Sequence, residues 1–130
     1  MKKLIILLTL VCSVHADANK FFKALGKVES SNNPRAVGDN GKSIGIYQIQ
    51  LNCWKDAIQY DKTIGGTYRD CYNPVYARKV ATAYFMRYEP KSFAKGDYES
   101  LARVWNGGPK WRSKKSKTDK YWNKIKKSID

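Results

Sequence analysis

Past residue 16 the chain carries only three glutamates, and one of them stands where a carboxyl can do acid–base chemistry. Glu29 follows Leu25 by four residues and Phe22 by seven, so in a helix it continues their apolar face. Desolvation on such a face disfavours the charged form, and a carboxyl that keeps its proton near neutral pH can serve as a general acid. Position alone also allows an ordinary last-turn glutamate satisfied by neighbouring Ser and Asn. Of the other two, Glu99 is accounted for by a helix start after Asp97, and Glu89 sits beside Pro90 in an expected loop. Asp39 lies ten residues after Glu29 in a Gly-flanked turn, a more exposed setting. Two carboxylates in contrasting environments are the pattern for cleaving a glycosidic bond, although a turn aspartate also has a local reason to exist.

Other chemistries fall away by subtraction. Met1-Lys2-Lys3, the apolar run Leu4 to Val11 and Val14-His15-Ala16 read as a secretory signal peptide, giving residues 1–16 as a leader and 17–130 as one domain. The run is well short of the roughly 20 residues of a spanning helix. Removing sixteen residues, two of them lysines, from 130 residues at charge +14 leaves 114 residues at +12. The single histidine, His15, and Cys12 leave with the leader. A Ser-His-Asp triad, a Cys-His pair and a histidine-held metal are thereby excluded, and no metal or cofactor is expected. Cys53 and Cys71 remain, the number for one disulfide in an oxidising compartment, with two buried thiols as the alternative.

The elements that must position these groups are mostly helical. Asn19 to Ser30 has helical apolar spacing and stops at Ser31-Asn32-Asn33-Pro34. Ala36 to Ile49, with Asp39-Asn40-Gly41, predicts a small hairpin leading into a helix from about Tyr47 to Tyr60. A loop from Asp61 to Asn73 precedes Pro74 and a helix to Tyr88. Asp97 caps a further helix that stops at Asn106-Gly107-Gly108-Pro109, and a last one starts near Thr118. The expectation is a mainly α, α+β single domain of about five helices with a β-hairpin after the first.

Lys27-Val28-Glu29-Ser30-Ser31-Asn32-Asn33-Pro34, then Val37-Gly38-Asp39-Asn40-Gly41, then Ile44-Gly45-Ile46-Tyr47-Gln48-Ile49 resembles the catalytic core of small lysozyme-like muramidases. Both invertebrate-type lysozymes and the soluble lytic transglycosylase domains related to goose-type lysozymes share this look. Ala102-Arg103-Val104-Trp105-Asn106-Gly107-Gly108-Pro109 and Thr118…Tyr121-Trp122 are similar to carboxy-terminal motifs of the invertebrate type. The resemblance implies a lysozyme-like fold and a cut between N-acetylmuramic acid and N-acetylglucosamine, with Glu29 as acid and Asp39 as the second carboxylate. It further implies that Ser31, Gly45, Tyr47, Gln48, Trp105, Asn106, Gly107 and Tyr121 contact substrate. Two departures stand out. Invertebrate-type enzymes carry many disulfides, and the transglycosylase pattern has Met before the Gln and Ala-Gly after the Asn, where this chain has Tyr47 and Gly107-Gly108. Asp39 favours hydrolysis over closure of a 1,6-anhydro ring.

Seventeen aromatic residues, four Trp, nine Tyr and four Phe, offer flat faces suited to sugar stacking, although Trp54, Tyr84 and Trp122 fall at core spacing. Lys110 to Lys127 holds nine Lys or Arg against Asp119 alone. A signal peptide and the lack of base-reading motifs argue against nucleic acid, leaving peptidoglycan and other anionic envelope polymers as partners. A second class of reading is a cationic envelope-binding protein without catalysis. Gly41-Lys42-Ser43 resembles the end of a phosphate loop, but the glycine needed five residues earlier is Ala36. A secreted monomer, extracellular or periplasmic and without stable membrane insertion, is expected.

Overall fold

The computed structural model describes residues 18–130; the expected leader and its cleavage point lie outside the described residues. The first helix, α1, is helical over 18–30 and buries Phe21, Phe22, Ala24 and Leu25 on one face. It ends where Ser31 and Asn32 turn left-handed, at φ 55° and 60°, and the Asn32 amide reaches back to the Gly26 carbonyl at 3.1 Å.

The chain then forms a three-stranded antiparallel sheet, one strand more than a simple hairpin. Strands β1 (Val37–Gly38), β2 (Ser43–Ile44) and β3 (Ile49–Gln50) lie in sequence order, with Val37 opposite Ile44 and Ser43 opposite Gln50. Asp39–Gly41 makes a single 3₁₀ turn between β1 and β2. Because β3 uses Ile49 and Gln50, the next helix, α2, starts at Leu51 rather than near Tyr47 and runs to Tyr60. Two short 3₁₀ segments, Lys62–Ile64 and Tyr68–Tyr72, occupy the expected loop.

Helix α3 (Pro74–Tyr88) is the centre of the core and starts as the sequence predicts, with Pro74 in its first turn and the Asn73 side chain accepting from the Val75 and Tyr76 amides. Phe85 on this helix is fully buried and touches Phe21, Phe93 and Trp105, at ring separations of 5.7, 6.2 and 5.3 Å. Burying one such ring stabilises the fold by about 2–3 kcal/mol.

A sixth helix appears where a loop was expected. Pro90 opens α4 (Pro90–Lys95), since proline suits a first turn that needs no amide donor. Glu89 is therefore the single residue joining α3 to α4, not part of a longer loop. It is buried, accepts from the Trp111 indole at 3.1 Å and pairs with Arg112 at 2.7 Å. Helix α5 (Tyr98–Gly107) is capped by Asp97, which accepts from the Ser100 amide. A 3₁₀ stretch, Trp111–Thr118, leads to α6 (Asp119–Ile129).

Arg103 locks these last pieces together from a buried position. It pairs with Glu99 at 2.9 Å and Asp119 at 2.7 Å, and donates to the Lys115 carbonyl and the Thr118 hydroxyl. The orientation of α6 against α5 is thereby fixed. Among the described residues no helix is long and apolar enough to cross a membrane.

Candidate active site

A cleft of about 380 Å³ opens between the sheet, α2 and the carboxyl end of α5. Glu29 from the last turn of α1 and Asp39 from the β1–β2 turn both line it. The α2 face carrying Asn52, Cys53 and Asp56 forms part of its wall, and Tyr84, Trp105, Asn106, Gly107 and Gly108 complete it.

Glu29 is held from behind. The Tyr121 hydroxyl donates to its Oε2 at 2.5 Å, from α6 and 92 positions along the chain. Burial raises the Glu29 carboxyl above its ordinary value; the Tyr121 hydrogen bond pulls it down, the Asp39 charge pushes it up, and the Trp105 indole and Lys124 pull it down. Desolvation dominates, so the net direction is upward. Tyr121 is itself pushed well above its ordinary value by burial and then by Glu29, so it remains a donor. The site thus holds a carboxyl that keeps its proton to higher pH than an ordinary glutamate, with one oxygen already occupied by a neutral donor.

Asp39 is exposed and held at φ 51°, and its Oδ2 accepts from the Ser43 hydroxyl at 2.6 Å. Five non-glycine residues with positive φ fall between 31 and 48: Ser31, Asn32, Asp39, Asn40 and Gln48. Backbone strain of this kind concentrates where side chains must be aimed.

The sequence-predicted residues divide into two groups. Glu29, Asp39, Gln48, Trp105, Asn106 and Gly107 meet in the cleft. Ser31 is exposed beyond the end of α1 and does not join its lining. Gly45 is buried at φ 80°, where a Cβ would collide with the Cys71 carbonyl oxygen. Tyr47 points into the core, its ring 5.5 Å from Phe22. Gln48 lines the cleft, but its amide nitrogen is committed to the Ala36 and Gly45 carbonyls at 3.2 and 2.9 Å, so it braces the loop. Tyr121 meets Glu29 rather than the open cleft.

In the structure Cys53, half-buried, and Cys71, buried, are both free, the alternative that the sequence leaves beside one disulfide. Burial pushes the Cys71 thiol up to about 12 and Cys53 higher still.

Several cleft groups were missed. Ser43, Asn52, Asp56 and Tyr84 join the lining, and the α2 trio at 52, 53 and 56 is one helical face that spacing makes visible. Asp56 accepts from the Tyr88 hydroxyl at 3.0 Å. Ser30 holds α1 to the sheet by donating to the Ile46 carbonyl at 2.7 Å. Tyr84 braces Trp105 edge-on, with ring centroids 5.6 Å apart.

Comparison with known proteins matches this architecture. A family model described as Destabilase covers residues 18–128. The chain is similar to Invertebrate-type lysozyme 6 of Caenorhabditis elegans, 36% identical over 109 residues, covering 77% of this chain and 78% of the relative. It is 30% identical over 128 residues to Lysozyme of Ostrea edulis, covering 94% and 88%. It is also 32% identical over 87 residues to Lysozyme 1 of Crassostrea virginica, covering 66% of this chain but only 45% of that longer relative.

Proposed function

This chain belongs to the Destabilase family and is homologous to invertebrate-type lysozymes, and from that premise we propose that it is a muramidase. It cuts the β-1,4 bond between N-acetylmuramic acid and N-acetylglucosamine in peptidoglycan. The observation that carries this reading is Glu29: a half-buried carboxyl whose pKa is raised by desolvation, facing a cleft it shares with a second carboxylate.

In this reading Glu29 protonates the departing glycosidic oxygen as the bond breaks. Tyr121, and more weakly Trp105, hold the carboxyl in one orientation so that its proton is aimed into the cleft. Positive charge develops on the muramic ring as the bond lengthens. Asp39 supports that charge or draws a proton from the attacking water, and Ser43 fixes the carboxylate for either task. Once Glu29 has given up its proton it is a buried anion, which is unfavourable, so it is recharged from solvent or from the incoming water. Asn106 and the Gly107–Gly108 backbone let the glycan approach closely at the end of α5. Residues 1–16 export the chain, and the product works as a secreted monomer on bacterial walls.

Mass spectrometry of fragments released from purified peptidoglycan tests the reading. Reducing-end muramic acid is expected, because water is the acceptor. Anhydro ends, one water lighter, would make Glu29 act alone as acid and then base, as in a lytic transglycosylase. Absence of fragments from folded protein would leave a cationic wall binder. Glu29→Gln separates that case, since a pure binder keeps its bactericidal effect without the carboxyl.

A further inference from the structure

Beside the cleft lies a second concavity, of about 370 Å³, whose chemistry the acid–base machinery does not use. Gly107 lines both, so the two lie side by side at the carboxyl end of α5. The second one is walled by the 3₁₀ stretch, with Lys110, Lys114 and Lys117 around it, Ser113 between them and Trp111 beneath. The stretch is broken at Lys114, at φ −137° and ψ 48°, and lysines at intervals of four and three face the same hollow across that break.

These three charges are uncompensated, and the reason lies in the surrounding acids. Glu99 and Asp119 are taken by Arg103, Glu89 by Arg112, and Lys115 shares Glu99 at 4.0 Å. Among the described residues no carboxylate pairs with Lys110, Lys114 or Lys117. Three exposed lysines line one hollow, so an anionic group seated there meets all three without a carboxylate of the chain competing for them.

Resting on the muramidase reading, we propose that this pocket binds carboxylates of the stem peptide carried by the muramic acid of the bound strand. A glycan passing Gly107 and Gly108 brings a stem peptide to this end of the cleft at every second sugar, and those peptides end in carboxylates. Wall phosphodiester polymers offer negative charge as well, but they are not tied to the strand in the cleft, and the position of the hollow beside the cleft at Gly107 favours the tied group. The pocket therefore sets a preference for peptide-bearing over bare glycan, exerted on binding.

The test measures kcat and KM on peptidoglycan bearing its peptides and on the same glycan after enzymatic removal of them. Wild type is compared with K110A/K114A/K117A and with K20A/K23A/K62A, which loses the same charge from exposed positions elsewhere. The pocket variant is expected to lose about tenfold in kcat/KM on peptide-bearing glycan, mostly through KM, as three screened contacts supply. On bare glycan it should match wild type, the remote variant should match on both, and the wild-type preference should shrink as salt rises. Equal loss on both substrates, or equal loss in the remote variant, overturns the pocket. So does a defect that disappears when phosphodiester polymers are stripped from walls that keep their peptides. If wild type cleaves neither substrate, it is the muramidase reading that fails.

Discussion

Tyr121 and Glu29 stand 92 positions apart in the chain, yet the tyrosine hydroxyl donates to the glutamate Oε2 at 2.5 Å. The contact closes the fold around Glu29, because α1 contributes the carboxyl and α6 the hydroxyl that donates to it. It also sets two opposing influences on one proton: burial favours the neutral acid and the hydrogen bond favours the anion.

Tyr121→Phe removes the largest of the influences that lower the Glu29 value and leaves the two that raise it. The alkaline limb of the pH–kcat profile should therefore move to higher pH. Turnover at the optimum should fall about tenfold or more, the worth of a hydrogen bond to an ionisable group, with KM little changed. A limb that stays in place or moves down would show that Tyr121 does not act through Glu29.

Glu29→Gln should lower turnover by about 10²–10⁴-fold, the usual contribution of a positioned acid. Its effect on stability has a definite sign. The folded-state value of Glu29 is raised, so its favourable contribution is complete below the unfolded value and is lost as pH rises through the folded one. Glutamine does not ionise. The variant should melt above wild type on the alkaline side of that window, and the two curves should converge below about pH 4, near the unfolded carboxyl value. Differential scanning calorimetry across pH checks this, and a variant less stable at every pH would contradict it.

Asp39→Asn moves the same limb the other way. The Asp39 charge raises the Glu29 value, so its removal should shift the alkaline limb to lower pH. If water is the acceptor, turnover should fall about 10²-fold or more as well. Wild-type turnover together with the shifted limb would reduce Asp39 to an electrostatic neighbour and favour anhydro products.

How far these relationships could be read from the chain depended on their reach along it. Glu29 was visible because its spacing from Phe22 and Leu25 is a local helical property, and the Asn73–Pro74 and Asp97 helix starts were visible for the same reason. The motif around Tyr121 implies substrate contact and gives no sign of its pairing with Glu29, since the packing of α6 on α5 decides that contact. Gly45 and Tyr47 looked like cleft residues because their motif is contiguous, yet positive φ at Gly45 and Gln48 turns the loop so that Tyr47 faces Phe22. The position of Glu89 beside Pro90 predicts a loop, but Pro90 begins α4 and shortens the connection to Glu89 alone, whose burial depends on the distant Trp111 and Arg112. The lysines of the second pocket were visible as charge, but their convergence depends on the backbone break at Lys114.

Arg103 should prove to be the positioning residue for the acid although it never approaches the cleft lining. It is buried, and it joins Glu99 on its own helix to Asp119 at the start of α6, two residues before Tyr121. Arg103→Ala releases two carboxylates that are partly solvent-exposed, so the loss is smaller than for a fully buried pair. Together with the Thr118 and Lys115 acceptors left unpaired, it should cost about 1–3 kcal/mol and lower the melting temperature by roughly 5–15 °C. If α6 then moves relative to α5, the Tyr121 bond lengthens and the alkaline limb rises, as in Tyr121→Phe but by less. Arg103→Lys keeps the charge and one contact and should recover part of both effects. A destabilised Arg103→Ala enzyme whose pH profile matches wild type would confine Arg103 to the fold and detach it from the acid.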